Sequence, residues 1–369
     1  MKPLLLMSGV PVGEAERITV SLLRHIQEAG ERVPLCTVAP GDDDALAREL
    51  ATAGIARFDL GARRQADPQA LARLVALLRR QGFDLVHAHG QDAAVLAYWA
   101  RRAARFRLVV TGDTTDEPAG DRNQSVRARA ARAALTAADA VIADSHTAAA
   151  RLSGGGQAVR REKIGVIPKG IDVARFDPAA NAAAGRALRR KLAPGATSHV
   201  VLLPADLNPG KARDVVLEAA HLVRDRIPGV AFLVAGPGAA DGIDAPVRFL
   251  GHRDDMPALM AAADVVCLPS RSEAAPAVLM EAAAAARAVV AARVGGATAV
   301  VEHGRTGLLI APLHASALAG ALIELLEVPG RRGTMGEAAR EKARREFGLE
   351  SQAQRTVSLW QRVLSEDTP

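Results

Sequence analysis

Aromatic side chains are scarce in this 369-residue chain: seven Phe, two Trp and one Tyr make up 3% of it. A core must then be built from Ala, Val and Leu, and an apolar share of 49% is ample for that. Cysteine is rarer still. Cys36 and Cys267 both fall in or beside predicted strands, which reads them as buried free thiols of a reducing compartment and excludes a disulfide framework or a cysteine metal site. No apolar run reaches the length of a membrane span. The first run, Leu4 to Met7, stops at Ser8-Gly9 and is too short for the apolar region of a secretory signal. These absences predict a cytoplasmic protein, at most peripheral to the inner face of a membrane.

What is present points to two domains, because 369 residues exceed what one ordinary core organises. Formal charge is 47 minus 41, or +6, with the basic residues spread along both halves and not gathered in a tail. That pattern calls for no nucleic acid, and leaves a basic surface that suits anionic lipid or an anionic glycan.

Taken in order, the chain alternates strands and helices. Leu4 to Met7 predicts a strand, Gly9 to Gly13 a loop, and Ala15 to Ala29 a helix with Ile18, Leu22, Leu23 and Ile26 as its buried stripe. This opens a Rossmann-like unit, although Gly9 and Gly13 lack the G-x-G-x-x-G spacing of a dinucleotide fingerprint. Further strands are predicted at Val33–Val38, Leu85–His89, Leu108–Thr111, Ala140–Ala143 and Ile164–Ile167, with a helix capped by Asp67 and opened by Pro68 among them. His87 and His89 project to one side of their strand. With no third ligand at metal-site spacing, His89 reads as lining a cleft at the strand's end. Arg122, Arg127, Arg129 and Arg132 share one helical segment, either a solvated face or a surface for an anionic acceptor or a membrane. A second alternating series begins at Val200, which gives domains at 1–172 and 198–350 with a linker at 173–197.

The most informative stretch lies in the second series. Val265 to Leu268 reads as a buried parallel strand, and Pro276 opens an Ala-rich helix. In an open α/β sheet the ligand crevice lies outside the carboxyl ends of the strands, where a helix N-terminus offers unpaired N–H groups to an anion. Glu273 in the loop and Glu281 in the helix's second turn bracket a volume about one nucleotide diphosphate deep. Carboxylates accept hydrogen bonds from hydroxyls, so the pair suits sugar and ribose.

Glu-x7-Glu in this setting, together with Val166-Ile167-Pro168-Lys169-Gly170-Ile171-Asp172 and Asp84-Leu85-Val86-His87-Ala88-His89, resembles the family-4 retaining glycosyltransferases. The resemblance runs through nearly the whole chain. It implies the GT-B fold, two Rossmann-like doubly wound domains facing across a cleft, with a C-terminal helix at 351–365 packing back on the first domain. It implies a hexose moved from a nucleotide-diphosphate sugar to a glycan, lipid or small-molecule hydroxyl, as in cell-envelope polysaccharide synthesis, with no metal or other cofactor required. By the same resemblance Glu273 holds the donor sugar and Lys211 the diphosphate, while Asp113 lies close to the reacting sugar. Glu281 takes the ribose, and Ala275, Pro276, Ala277 and Val278 present the helix N-terminus to the diphosphate. Gly236, Gly251 and Arg213 complete the donor side, and Gly13 and His89 face the acceptor.

Three departures from the family pattern fall in or beside that site. Asp113 stands where the family usually has His, Asp206 where it has Arg, and Ala274-Ala275 where it has Gly-Phe. A carboxylate about 5 Å from each phosphate charge repels it by roughly 3 kcal/mol at an effective dielectric near 20. Two other readings therefore stand beside the transferase: a non-catalytic GT-B chain that binds a glycan or partner enzyme, and a nucleotide-sugar epimerase on the same fold.

Overall fold

The computed structural model describes residues 1–9, 14–39, 44–63, 67–112, 126–154, 159–193, 199–204, 213–236, 247–271 and 277–365, with the side chains of 14–17, 44–46 and 126–127 left aside. The chain divides into two compact units, Met1–Gly170 with Leu349–Pro369, and Ile171–Gly348.

The first unit holds strands β1 (Pro3–Met7), β2 (Leu35–Thr37), β3 (Arg57–Asp59), β4 (Leu85–His89), β5 (Arg107–Thr111), β6 (Ala140–Ala143) and β7 (Ile164–Val166). Between them run helices α1 (Glu14–Glu28), α2 (Asp44–Thr52), α3 (Pro68–Gln81), α4 (Gln91–Ala100), α5 (Val126–Ala137) and α6 (His146–Ser153). All pairings are parallel, in the order β3-β2-β1-β4-β5-β6-β7. Parallel strands must be covered on both faces, which explains near-continuous runs such as Leu4-Leu5-Leu6. Leu4 and Leu6 face Leu74 of α3, Leu96 of α4 and Leu152 of α6. Leu5 faces the other way, toward Leu23 and Ile26 of α1. Local signals fix the helix ends: the Asp67 carboxylate accepts from the Gln69 N–H, and Gly82, at φ 66°, sends its own N–H back to the Leu78 carbonyl.

In the second unit the strands are β8 (Val200–Leu203), β9 (Ala231–Val234), β10 (Val247–Phe249), β11 (Val265–Leu268), β12 (Ala288–Ala292) and β13 (Gly307–Ile310), ordered β10-β9-β8-β11-β12-β13. One face carries α7 (Pro178–Leu192), α9 (Met256–Ala262), α10 (Ala277–Ala284) and α11 (Ala297–Val300). The other carries α8 (Arg213–Arg226) and α12 (Ala315–Glu327). Helix α13 (Pro329–Lys342) runs into a π turn at Ala343–Phe347. Over 173–193, the described part of the expected linker, the chain holds a packed helix. Asp177 caps α7 by accepting from the N–H groups of Ala179 and Ala180, and α7 packs on α9 so closely that a Cβ on Gly185 would overlap Ala261. The helix thus belongs to the core of the second unit.

After Gly348 comes α14 (Leu349–Ser365), which lies on α1 in the first unit. Trp360 of α14 is fully buried there beside Leu5, Leu23 and Val109. At Gly348, just before α14, the backbone turns extended at φ −70°, ψ 147° and so separates α14 from the π turn.

Three aspartates register the strands at their starting ends. Asp84, just before β4, accepts the Lys2 N–H at 2.8 Å; Asp139, just before β6, accepts that of Leu108 at 2.7 Å; Asp264, just before β11, accepts that of Val200 at 2.8 Å. The first and third tie together β1 with β4 and β8 with β11, the central pair of each sheet. Asp264 also receives Arg189 at 2.7 Å and Arg332 at 3.4 Å.

Candidate functional site

Both sheets begin at a middle strand, build outward one way and then return to build the other way. The strand order therefore reverses between β1 and β4 in one unit and between β8 and β11 in the other. At such a switch point the two following connections leave toward opposite faces, so a crevice opens outside the carboxyl ends of the two central strands.

In the second unit the switch point lies outside Leu203 and Leu268, and α8 and α10 start beside it. Arg213 is the first residue of α8 and is half-buried. Ala277 and Val278 open α10; the first N–H groups of a helix have no carbonyl one turn back and face whatever sits at its end. Glu281 follows one turn later and is half-buried, while Leu279 and Met280 point into the core. Gly236, just past β9, donates its N–H to the Gly251 carbonyl at 2.9 Å, which joins two of the predicted donor-side residues into one rim. Gly251 adopts φ +67°, a conformation that favours glycine. Ser270 was not singled out in the sequence. Its side chain is buried just past the end of β11, and its hydroxyl has no partner among the described residues. Its one sequence signal is the Leu-Pro-Ser that ends the strand, matched by Ala-Asp-Ser at the end of β6. There the Ser145 hydroxyl instead caps α6 by accepting from the Ala148 N–H.

In the first unit the corresponding edge is formed by Ser8, His89, Gly90 and Thr111. The Ser8 Oγ accepts the Ala93 N–H at 3.0 Å and so caps α4 from the neighbouring strand. Gly90 adopts φ +85° with its α-carbon turned toward Ser8, where a Cβ would overlap that hydroxyl. His87 and His89 both reach the Thr111 hydroxyl through Nε2, at 2.9 and 3.3 Å, and their ring centroids lie 4.3 Å apart. Burial first, and then the neighbouring His89, push the His87 imidazole well below its ordinary value. Burial and the Lys169 ammonium lower His89 to about 4. Both rings are therefore neutral near pH 7, suited to hydrogen bonding and not to holding an anion. Among the described residues no three His, Cys, Asp or Glu side chains come together as metal ligands. Cys36 and Cys267 are buried free thiols, Cys36 being pushed up to about 12 by burial and Asp59.

Of the predicted site residues, Glu281, Ala277, Val278, Gly236, Gly251 and Arg213 are placed around the carboxyl edge of the second sheet, and His89 on that of the first. Gly13, Asp113, Lys211, Glu273, Ala275 and Pro276 lie outside the described residues, as do Asp206 and Arg122. Among the described residues no helix is long and apolar enough to cross a membrane.

Two parallel doubly wound sheets in one chain, each with its strand order reversing at a central pair, are the architecture of the GT-B class. The family comparisons agree with that class. Residues 15–175 match the model for glycosyltransferase family 4, and residues 198–328 match glycosyl transferases group 1. The D-inositol 3-phosphate glycosyltransferase of Kineococcus radiotolerans is 31% identical over 405 residues, covering 97% of this chain and 87% of that one. The chain belongs to glycosyltransferase family 4 and is a glycosyltransferase. The D-inositol 3-phosphate glycosyltransferase of Salinispora arenicola is 32% identical over 291 residues; the match spans 71% of this chain and 65% of that relative. Among solved structures, Anabaena HepE in complex with UDP superimposes with a TM-score of 0.80 at 26% identity, over 98% of this chain and 100% of that one.

Proposed function

We propose that this glycosyltransferase moves a hexose, with retention of configuration, from a UDP-sugar to a hydroxyl of a glycan, lipid or small polyol. A place in cell-envelope polysaccharide synthesis suits such a reaction. The observation that carries the donor assignment is the position of α10: its first N–H groups and Glu281 stand at the β8/β11 switch point, in the segment matched by the group 1 family model. The UDP in the Anabaena relative supports the choice of nucleotide.

In this reading the ribose hydroxyls donate to the Glu281 carboxylate, and the diphosphate lies over the start of α10. As the bond from the anomeric carbon to the diphosphate lengthens, negative charge grows on the leaving oxygens. The Ala277 and Val278 N–H groups and the Lys211 and Arg213 cations are the groups that stabilise it. Fixed donors of this kind need no reorganisation as the charge appears, so their stabilisation is larger in the transition state than in the ground state. Glu273 orients the donor sugar through its hydroxyls, and Asp113 lies beside the reacting centre. The cations and helix N–H groups supply the compensating charge, so the proposal requires no metal. Neutral His89 offers a hydrogen bond to an acceptor hydroxyl.

The test is calorimetric titration with UDP, GDP and ADP and their hexose conjugates. UDP and one UDP-hexose are expected to bind, and Glu281→Ala is expected to weaken UDP at least tenfold, with a cooperative ligand-free melting transition showing that the variant is folded. Unchanged UDP affinity in that variant overturns the donor assignment, and a folded protein that binds no nucleotide overturns the transfer reaction.

A further inference from the structure

At the starting ends of β5, β6 and β7, opposite the carboxyl edge that carries the first unit's switch point, lies a second concavity. Its volume is about 320 Å³, and it is lined by Arg107, Asp139, Arg160, Glu162, Lys163 and Arg362 over an apolar floor that includes Leu359 and Val363. Four separate pieces of chain supply these side chains: β5, the residue before β6, the turn at Arg161–Lys163 with the residue preceding it, and the last turns of α14. Four cations stand against two carboxylates, an excess of two positive charges.

The carboxylates do not cancel that excess locally. Asp139 is already committed, accepting Leu108 N–H at 2.7 Å and pairing with Arg101 at 3.2 Å and Arg107 at 3.3 Å. Two guanidinium groups thus share one carboxylate. Glu162 pairs with Arg160 at 3.1 Å, but both side chains are largely exposed, 64% and 70%, where such a pair contributes little. Lys163 spends one of its three donors on the Ala138 carbonyl, at 2.7 Å, and the other two have no partner among the described residues. The guanidinium of Arg362 has no partner among the described residues. Gathering like charges in one recess is unfavourable, and an anion with several oxygens relieves it. Forked guanidinium groups and an ammonium match phosphate oxygens in geometry and charge.

We propose that this recess binds a small phosphate-bearing anion, a diphosphate or phosphomonoester, at a site separate from the donor and acceptor edges. Because Arg362 sits on α14 and the other cations on the sheet and its turns, the anion links the last helix to the sheet of the first unit. The site is regulatory or stabilising in character, since no carboxyl edge of either sheet contributes to it.

The experiment is titration of the full chain with sodium pyrophosphate, and separately with glucose 6-phosphate, followed by calorimetry and by hydrogen exchange. The Arg362→Glu variant and the hydrogen-exchange map tell binding at the recess from binding at the donor edge. One pyrophosphate is expected to bind with an affinity that falls steeply with salt. Arg362→Glu should weaken it at least tenfold, whereas Arg344→Glu, an exposed cation of the second unit, should leave it unchanged. Hydrogen exchange should slow at 107–109, 160–166 and 356–363. Arg362 is exposed, so its replacement leaves the fold intact, and an unchanged ligand-free melting temperature checks this. Absence of binding by both probes overturns the proposal. So does equal affinity in Arg362→Glu, or protection confined to the second unit, whether or not UDP itself binds.

Discussion

Acidification should destabilise the first unit through His89, and the effect can be sized. The ring is held at the end of β4 between His87, Thr111 and the charge of Lys169, and its folded value of about 4 compares with an ordinary 6.5. Between those values the unfolded chain binds a proton that the folded chain does not. Stability is therefore complete above about pH 6.5, declines as pH falls through the window from 6.5 to 4, and changes no further on this account below it. At about 1.4 kcal/mol per pH unit the loss is at most about 3 kcal/mol, reduced by whatever solvent reaches the exposed edge of the ring. His87, displaced in the same direction, adds to the same slope. The comparison that isolates His89 is wild type against His89→Gln, unfolded with urea at several pH values between 7.5 and 4.5. Trp99 and Trp360 are the two tryptophans of the chain and both belong to the first unit, so their fluorescence follows that unit alone. The stability difference between the two proteins should drift in favour of the variant as pH falls. Parallel pH curves would refute the argument, because they would mean that the ring is protonated as readily folded as unfolded.

Two further outcomes concern the turn after α10. Ala286 adopts φ +54°, a conformation that costs a side chain roughly 1–2 kcal/mol and glycine almost nothing, so Ala286→Gly should raise the urea midpoint by the equivalent of about 0.5–1 kcal/mol after the entropy of the added glycine is counted. Gly336 of α13 lies directly against the Ala286 carbonyl, where a Cβ would overlap the backbone, and Gly336→Ala should lower stability by about 1–3 kcal/mol in the same assay.

Much of the fold is legible in the chain because short apolar runs alternate with amphipathic helices, and a parallel sheet buried on both faces leaves such runs in the sequence. Leu4–Met7, Leu85–His89 and Val265–Leu268 are visible as strands for that reason, and Asp67-Pro68 marks a helix start by capping chemistry alone. The family is legible from Glu273, Glu281 and the segment from Val166 to Asp172, whose order along the chain matches. Residues 173–197 mislead, because Pro178 and many Ala and Gly residues look like a connection. The Asp177 cap and the tight seat of Gly185 on α9 make 178–192 a core helix, and only packing shows that.

The site divides in the same way. Local sequence determines which residue types stand at each strand's carboxyl end and that a helix begins just beyond, since propensity and capping act over a few residues. Tertiary structure alone decides that β8 and β11 are neighbours although more than sixty residues separate them, because parallel pairing is chosen by burial and by long-range contacts such as Asp264 with Val200. That pairing creates the switch point where α8 and α10 converge. It also decides that Arg107, Arg160, Lys163 and Arg362 share one recess. Scattered along the sequence these are four ordinary surface cations, and they become a collective feature only where the sheet and the final helix meet.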